Sequence, residues 1–205
     1  AFHAGHLGDR HHAARAVLKA RRLHDEVDGR GDLRADGLER HLDAGHRDHV
    51  LQSADGVTRV SGFLEGEDSL NTLRAFRDMG VEIEGPDDGR VIIKGVGMDG
   101  LKAPGKPLDL GNSGTSMRLL SGLLAGQSFD VELSGDASLS KRPMKRVTDP
   151  LALMGAKVDT GEGGTPPLNI HGGSDMKGIS YEMPMASAQV KSCCLLAGLY
   201  AGGKT

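Results

Sequence analysis

From Asp55 onward, apolar and polar positions recur in one order. Two long stretches carry it: "LNTLRAFRDMGVEIEGPDDGRVIIKG" and "VTDPLALMGAKVDTGEGGTPPLNIHG". Each opens with apolar residues at helical spacing, passes a Met-Gly pair (Met79-Gly80, Met154-Gly155), and continues as strand, Gly/Asp turn and strand. A second series reads helix, then Ala-Gly or Asp-Gly, then strand: "SADGVTRVSG", "LLAGQSFDVELSG" and "LYAGGKT". Its glycines are Gly56, Gly126 and Gly202, so the repeating unit is about 70–76 residues of βαββα type. Stacked copies of such a unit predict an α/β domain of barrel-like shape with pseudo-threefold symmetry. The third unit is expected to be incomplete, because Thr205 falls where its first strand begins.

Residues 1–54 lack this order. "HHAARAVLKARRLHDEVD" puts Ala14, Val17, Leu18 and Val27 roughly on one side of a helix, but the stripe is thin. The predicted organisation is therefore a divergent His/Arg-rich segment, 1–54, followed by a repeat domain, 55–205.

Composition narrows the class. The protein has 205 residues, 38% hydrophobic and 26% charged, which suits a folded domain. Its 31 glycines against 3% aromatics and no Trp call for an aliphatic core and many tight turns. The net charge of −3 argues against a general nucleic-acid binder. No apolar run approaches the ~18 residues of a membrane span, and the N-terminus lacks an apolar signal core, so no membrane partner and a cytoplasmic location are expected. Of the 9 histidines only His171 lies outside residues 1–54. No Cys or carboxylate cluster completes a zinc site among the others, which read as a solvated segment, so no metal is expected. Adjacent Cys193 and Cys194 sit in the apolar helical run "VKSCCLLAGL" and read as buried thiols.

The candidate chemistry begins at "GNSGTSMR", Gly111 to Arg118. The first N–H groups of a helix lack internal partners and carry partial positive charge, and glycines let an anion approach the backbone. Thr115 or Ser116 can cap this helix, and Arg118 can fork onto a phosphate or carboxylate. A plain capped helix start explains Ser and Thr here, but neither the flanking glycines nor Asn112. "PMASAQVKS" opens the equivalent helix one unit later, with Ser187 and Gln189 at its start and Pro184 at its entry. Two such helix ends facing one axis would make an anion site. "GDASLSKRPMKR" supplies Lys141, Arg142, Lys145 and Arg146, either as a solvated face or, for Arg142, as a phosphate ligand. Glu65, Glu67 and Asp68 in "LEGEDSLNT" favour a helix N-terminus.

Together, "LDLGNSGTSMRLL", "GDASLSKRPMKRV", "GFLEGEDSLNTL" and "PMASAQVKSCCLLAG" closely resemble the 5-enolpyruvylshikimate-3-phosphate (EPSP) synthases of bacterial type, over about residues 54–205. The resemblance implies the inside-out α/β barrel of that family, here incomplete. It implies transfer of the enolpyruvyl group of phosphoenolpyruvate to the 5-hydroxyl of shikimate-3-phosphate in aromatic amino-acid biosynthesis. The partners are phosphorylated small molecules, and neither metal nor cofactor is needed. Ser187, Ala188 and Gln189 match shikimate-3-phosphate positions. Asn112, Gly114, Thr115, Arg118 and Arg142 match phosphoenolpyruvate positions, and Asp68 matches an active-site carboxylate. Gly114 is also where a side chain excludes glyphosate in the family, so tolerance is not expected from the glycine.

Two departures qualify this. The family's first helix start, Gly-Asp-Lys-Ser-x-Ser-x-Arg, should fall near residues 39–47, which read "ERHLDAGHR"; only Arg47 could correspond. The family's second domain is not represented, so a complementing C-terminal domain is implied. The alternatives are a non-catalytic phosphate-ligand-binding domain, or the sister enzyme acting on UDP-N-acetylglucosamine. "GDASLSKRPM" and "SAQVKS" favour the shikimate enzyme over the latter.

Overall fold

A computed structural model describes residues 55–205. The elements run β1 (Asp55–Val60), α1 (Glu67–Asp78), β2 (Glu82–Asp87), β3 (Arg90–Val96), β4 (Leu108–Asp109), α2 (Gly114–Ala125) and β5 (Val131–Ser134). They continue with α3 (Lys145–Leu153), β6 (Lys157–Thr160), β7 (Leu168–His171) and α4 (Ala188–Gly198). Short 3-10 turns occupy Leu139–Lys141 and Glu162–Gly164.

The repeat is visible in the strand order. One sheet is ordered β1-β3-β2 and the other β4-β5-β7-β6, so the triplet β5-β7-β6 copies β1-β3-β2, antiparallel throughout. Each Met-Gly pair closes a helix, with Met79 and Met154 as the C-terminal caps of α1 and α3. Gly80 and Gly155 follow at positive φ, where a side chain would be strained. Gly126 caps α2, but Gly56 falls inside β1 rather than before it.

The parallel pairing of β4 with β5 has a counterpart further along the chain. Lys177 and Gly202 form an isolated parallel bridge, as β4 does with β5 at Leu108 and Leu133, and the sequence separation is the same in both cases. Both bridges flank a helix, α4 and α2 respectively.

Strands bury alternate residues: Val91 and Ile93 of β3, Val131 and Leu133 of β5, and Leu168 and Ile170 of β7 join the core. Outward faces are polar, as where Lys94 pairs with Glu82 and, at 3.6 Å, with Glu84. α2 is the central helix, with Met117, Leu120, Leu123 and Leu124 wholly buried. It lies against α4 so closely that a Cβ on Gly122 would stand 2.2 Å from the Cys193 carbonyl oxygen. Cys193 and Cys194 are buried free thiols, and burial pushes both pKa values up.

Candidate anion site at two helix ends

α2 and α4 begin alike. Ser113 caps α2, its hydroxyl accepting from the Ser116 N–H at 3.2 Å, and Ser187 caps α4, accepting from the Val190 N–H at 3.3 Å. The cap of α2 is therefore Ser113, not Thr115 or Ser116, which lie inside the first turn. Pro184 lies upstream of the α4 cap, in the segment that leads into the helix. The hydroxyl proton of Ser187 stays available, because a cap uses only a lone pair.

Gln189 joins the two ends. Its Nε2 donates to Thr115 Oγ1 at 2.9 Å, and its Oε1 accepts from Arg118 Nη1 at 2.9 Å. Arg118 Nη1 also donates to the Gly114 carbonyl at 3.1 Å. Arg142 Nη2 donates to Asn112 Oδ1. A Cβ on Gly114 would lie 2.8 Å from Arg118 Nη1 and 3.0 Å from Arg142 Nη1, so both guanidinium heads stand over this bare glycine.

Among the described residues neither Arg118 nor Arg142 is in an ion pair, although the Asp136 carboxylate lies close enough to Arg142 to feel its charge. Burial lowers the pKa of Arg118, and the nearby charges of Arg142 and Arg146 add to the effect. A half-buried guanidinium with like-charged neighbours and free helix-end N–H groups is electrostatically unfinished, and an anion would complete it.

Asp68 lies exposed in the first turn of α1, and no ion pair joins it to the arginines. Its link to α2 runs through buried hydroxyls that sequence reasoning missed. Thr72 Oγ1 donates to the Asp68 carbonyl at 2.9 Å, so it must accept from Ser116 Oγ at 2.6 Å. Ser116 has then spent its proton, and Ser113 Oγ donates to it at 2.7 Å. Asn71 adds a second tie, donating to the Leu110 carbonyl at 3.3 Å while accepting from Arg74 at 2.8 Å. Gly111 is glycine for two reasons: φ is +56°, and a Cβ would meet Asn71 Nδ2 at 2.3 Å.

Lys141, Lys145 and Arg146 are exposed. The expected first helix start at residues 39–47, with Arg47, and the His-rich segment lie outside the described residues. Among the described residues no group of three or more His, Cys, Asp or Glu is placed to hold a metal ion, and no helix is long and apolar enough to cross a membrane. A separate groove at the β6–β7 edge is lined by Lys157, Asp159, His171 and Asp175. There His171 sits between Asp159, 2.9 Å from Nε2, and Asp130, 3.5 Å from Nδ1.

The EPSP synthase (3-phosphoshikimate 1-carboxyvinyltransferase) family model matches residues 50–205. A 3-phosphoshikimate 1-carboxyvinyltransferase of Hydrogenovibrio crunogenus is 70% identical over 161 residues, which are 78% of this chain and 36% of the relative. One from Methylococcus capsulatus is 66% identical over 176 residues, 85% of this chain and 40% of the relative. The solved EPSP synthase of Acinetobacter baumannii superposes with a TM-score of 0.75 at 64% identity, over 77% of this chain and 36% of that one. The chain thus spans 36–40% of the length of these curated relatives. With a shared α/β repeat fold over that span, the chain belongs to the EPSP synthase (3-phosphoshikimate 1-carboxyvinyltransferase) family.

Proposed function

We propose that this chain carries part of the active site for enolpyruvyl transfer from phosphoenolpyruvate to the 5-hydroxyl of shikimate-3-phosphate. In that reaction the 5-oxygen adds to C2 of phosphoenolpyruvate, and elimination from the tetrahedral adduct releases phosphate. Both substrates are phosphorylated, and the reading assigns them to neighbouring helix ends. Ser187, Ala188 and Gln189 take the phosphate and ring of shikimate-3-phosphate. Asn112, Gly114, Thr115, Arg118 and Arg142 take phosphoenolpyruvate, and Asp68 is the active-site carboxylate that the family pattern implies. The observation that carries this is Gln189, which binds Thr115 and Arg118 at once and so sets the two ends side by side.

In this reading residues 55–205 are the repeat domain, 1–54 a divergent segment, and the enzyme works in the cytoplasm. Turnover needs a complementing C-terminal domain: the chain spans 36–40% of its relatives' length, and "ERHLDAGHR" lacks the lysine and both serines of the family's first helix start. The isolated chain is therefore expected to bind its ligands and turn over little or not at all. Phosphate release from phosphoenolpyruvate plus shikimate-3-phosphate, followed with a coupled assay, checks this. Release at an ordinary enzyme rate of about 1–1000 per second would contradict it.

A further inference from the structure

Asp136 lies in the loop after β5 and has no part in the site assigned above. Its Oδ1 accepts from the N–H groups of Ser138 at 2.9 Å and Leu139 at 2.7 Å, capping the 3-10 turn. Its Oδ2 accepts from Asn112 Nδ2 at 2.8 Å. Its backbone N–H donates to the Gly111 carbonyl at 2.9 Å, which fastens this loop to the one before α2.

The chemistry of the chain Asp136–Asn112–Arg142 permits one arrangement. A carboxylate only accepts and a guanidinium only donates. The Asn112 amide between them must turn its NH2 to Asp136 and its oxygen to Arg142 Nη2, as observed. With Nη2 so held, Nη1 stands over Gly114. We infer that Asp136 is a positioning residue: it fixes the orientation of the Asn112 amide, which in turn aims the Arg142 guanidinium at the anion pocket. The inference rests on the reading that Arg142 meets phosphoenolpyruvate.

The discriminating variant is Asp136→Asn in the full chain. Its side-chain oxygen can still accept from Ser138 and Leu139, so the loop cap survives. Its new NH2 faces the NH2 of Asn112, which must flip and turn donor against donor at Arg142. Phosphoenolpyruvate binding by calorimetry is expected to weaken about tenfold, the loss of one charge-assisted hydrogen bond, with little change in melting temperature. The Asn112 side-chain NH2 resonances should move in the ligand-free protein. Asp136→Ser, which keeps a capping oxygen, should weaken binding in the same direction. Because the loss runs through Asn112, Asp136→Asn should no longer weaken binding in an Asn112→Ala background, where only the carboxylate's direct charge interaction with Arg142 is left to change.

Wild-type affinity in Asp136→Asn, unmoved Asn112 resonances, or an undiminished loss in the Asn112→Ala background would each overturn the inference. If the wild-type chain gives no response to phosphoenolpyruvate, the assignment of the site falls. The ligand-free Asn112 resonances still decide the role of Asp136.

Discussion

Gly114 shows how little space the proposed phosphoenolpyruvate site leaves. An alanine there meets the tips of Arg118 and Arg142 at 2.8 and 3.0 Å. Both are ends of flexible side chains, so the chain should fold and keep its stability while the guanidinium heads are pushed aside. Gly114→Ala is expected to weaken phosphoenolpyruvate binding about tenfold with an unchanged melting temperature, measured by calorimetry and thermal denaturation. His171 offers a pH-dependent counterpart on the opposite kind of surface. The hydrogen bond to Asp159 raises its pKa, assisted by Asp130, while the Gly172 N–H holds the Asp130 carboxyl below its usual value. A raised histidine stabilises the fold below its ordinary value of about 6.5, and that contribution is lost as pH rises through the folded value. A lowered carboxylate contributes above about 4 and fails in acid. The melting temperature lost in His171→Asn should therefore be larger near pH ~5.5 than near pH ~8.5. An equal loss at both would show that the charge is not involved.

Residues of this kind were unevenly legible. The polar run at Gly111–Arg118 announces a helix start, since Ser, Thr and Asn compete with helical backbone and favour caps. The sequence does not say which of the hydroxyls of Ser113, Thr115 and Ser116 is the cap, because a shift of the boundary by one or two residues changes the answer. Asp136, Thr72 and Asn71 were missed because their partners Asn112, Ser116 and Leu110 are 24, 44 and 39 residues away, joined only by folding.

At the scale of elements, the contact of α2 with α4 sets the site. Gly122 permits it: an added Cβ would lie 2.2 Å from the Cys193 carbonyl oxygen, and backbone on both sides cannot yield cheaply. Gly122→Ala would gain about 1 kcal/mol of helix propensity but overpack the interface by about 1–3 kcal/mol or more. Net destabilisation in urea is expected, with weakened Gln189 bonds to Thr115 and Arg118. A more stable variant would mean that the helices have room to part. The element order was readable because the Met-Gly pairs close equivalent helices and the Gly/Asp turns separate alternating strands. β4, Leu108–Asp109, was not: two residues hold no period, and only pairing with β5 makes them a strand.

At the scale of the whole molecule, pseudosymmetry explains why anion-ready groups converge. Among the described residues α2 and α4 both have a Ser-capped N-terminus and are joined by Gln189, so repetition makes a shared site from ordinary caps. The sequence showed the period, and the matching strand orders β1-β3-β2 and β5-β7-β6 show its structural meaning. The central claim is that two such ends hold phosphorylated ligands. A titration of shikimate-3-phosphate onto the isotope-labelled full chain, followed by NMR, tests it most directly. The account predicts saturable shifts at Ser187, Ala188 and Gln189 that extend to Thr115 and Arg118 through the Gln189 side chain. Unmoved resonances there at millimolar ligand would contradict it.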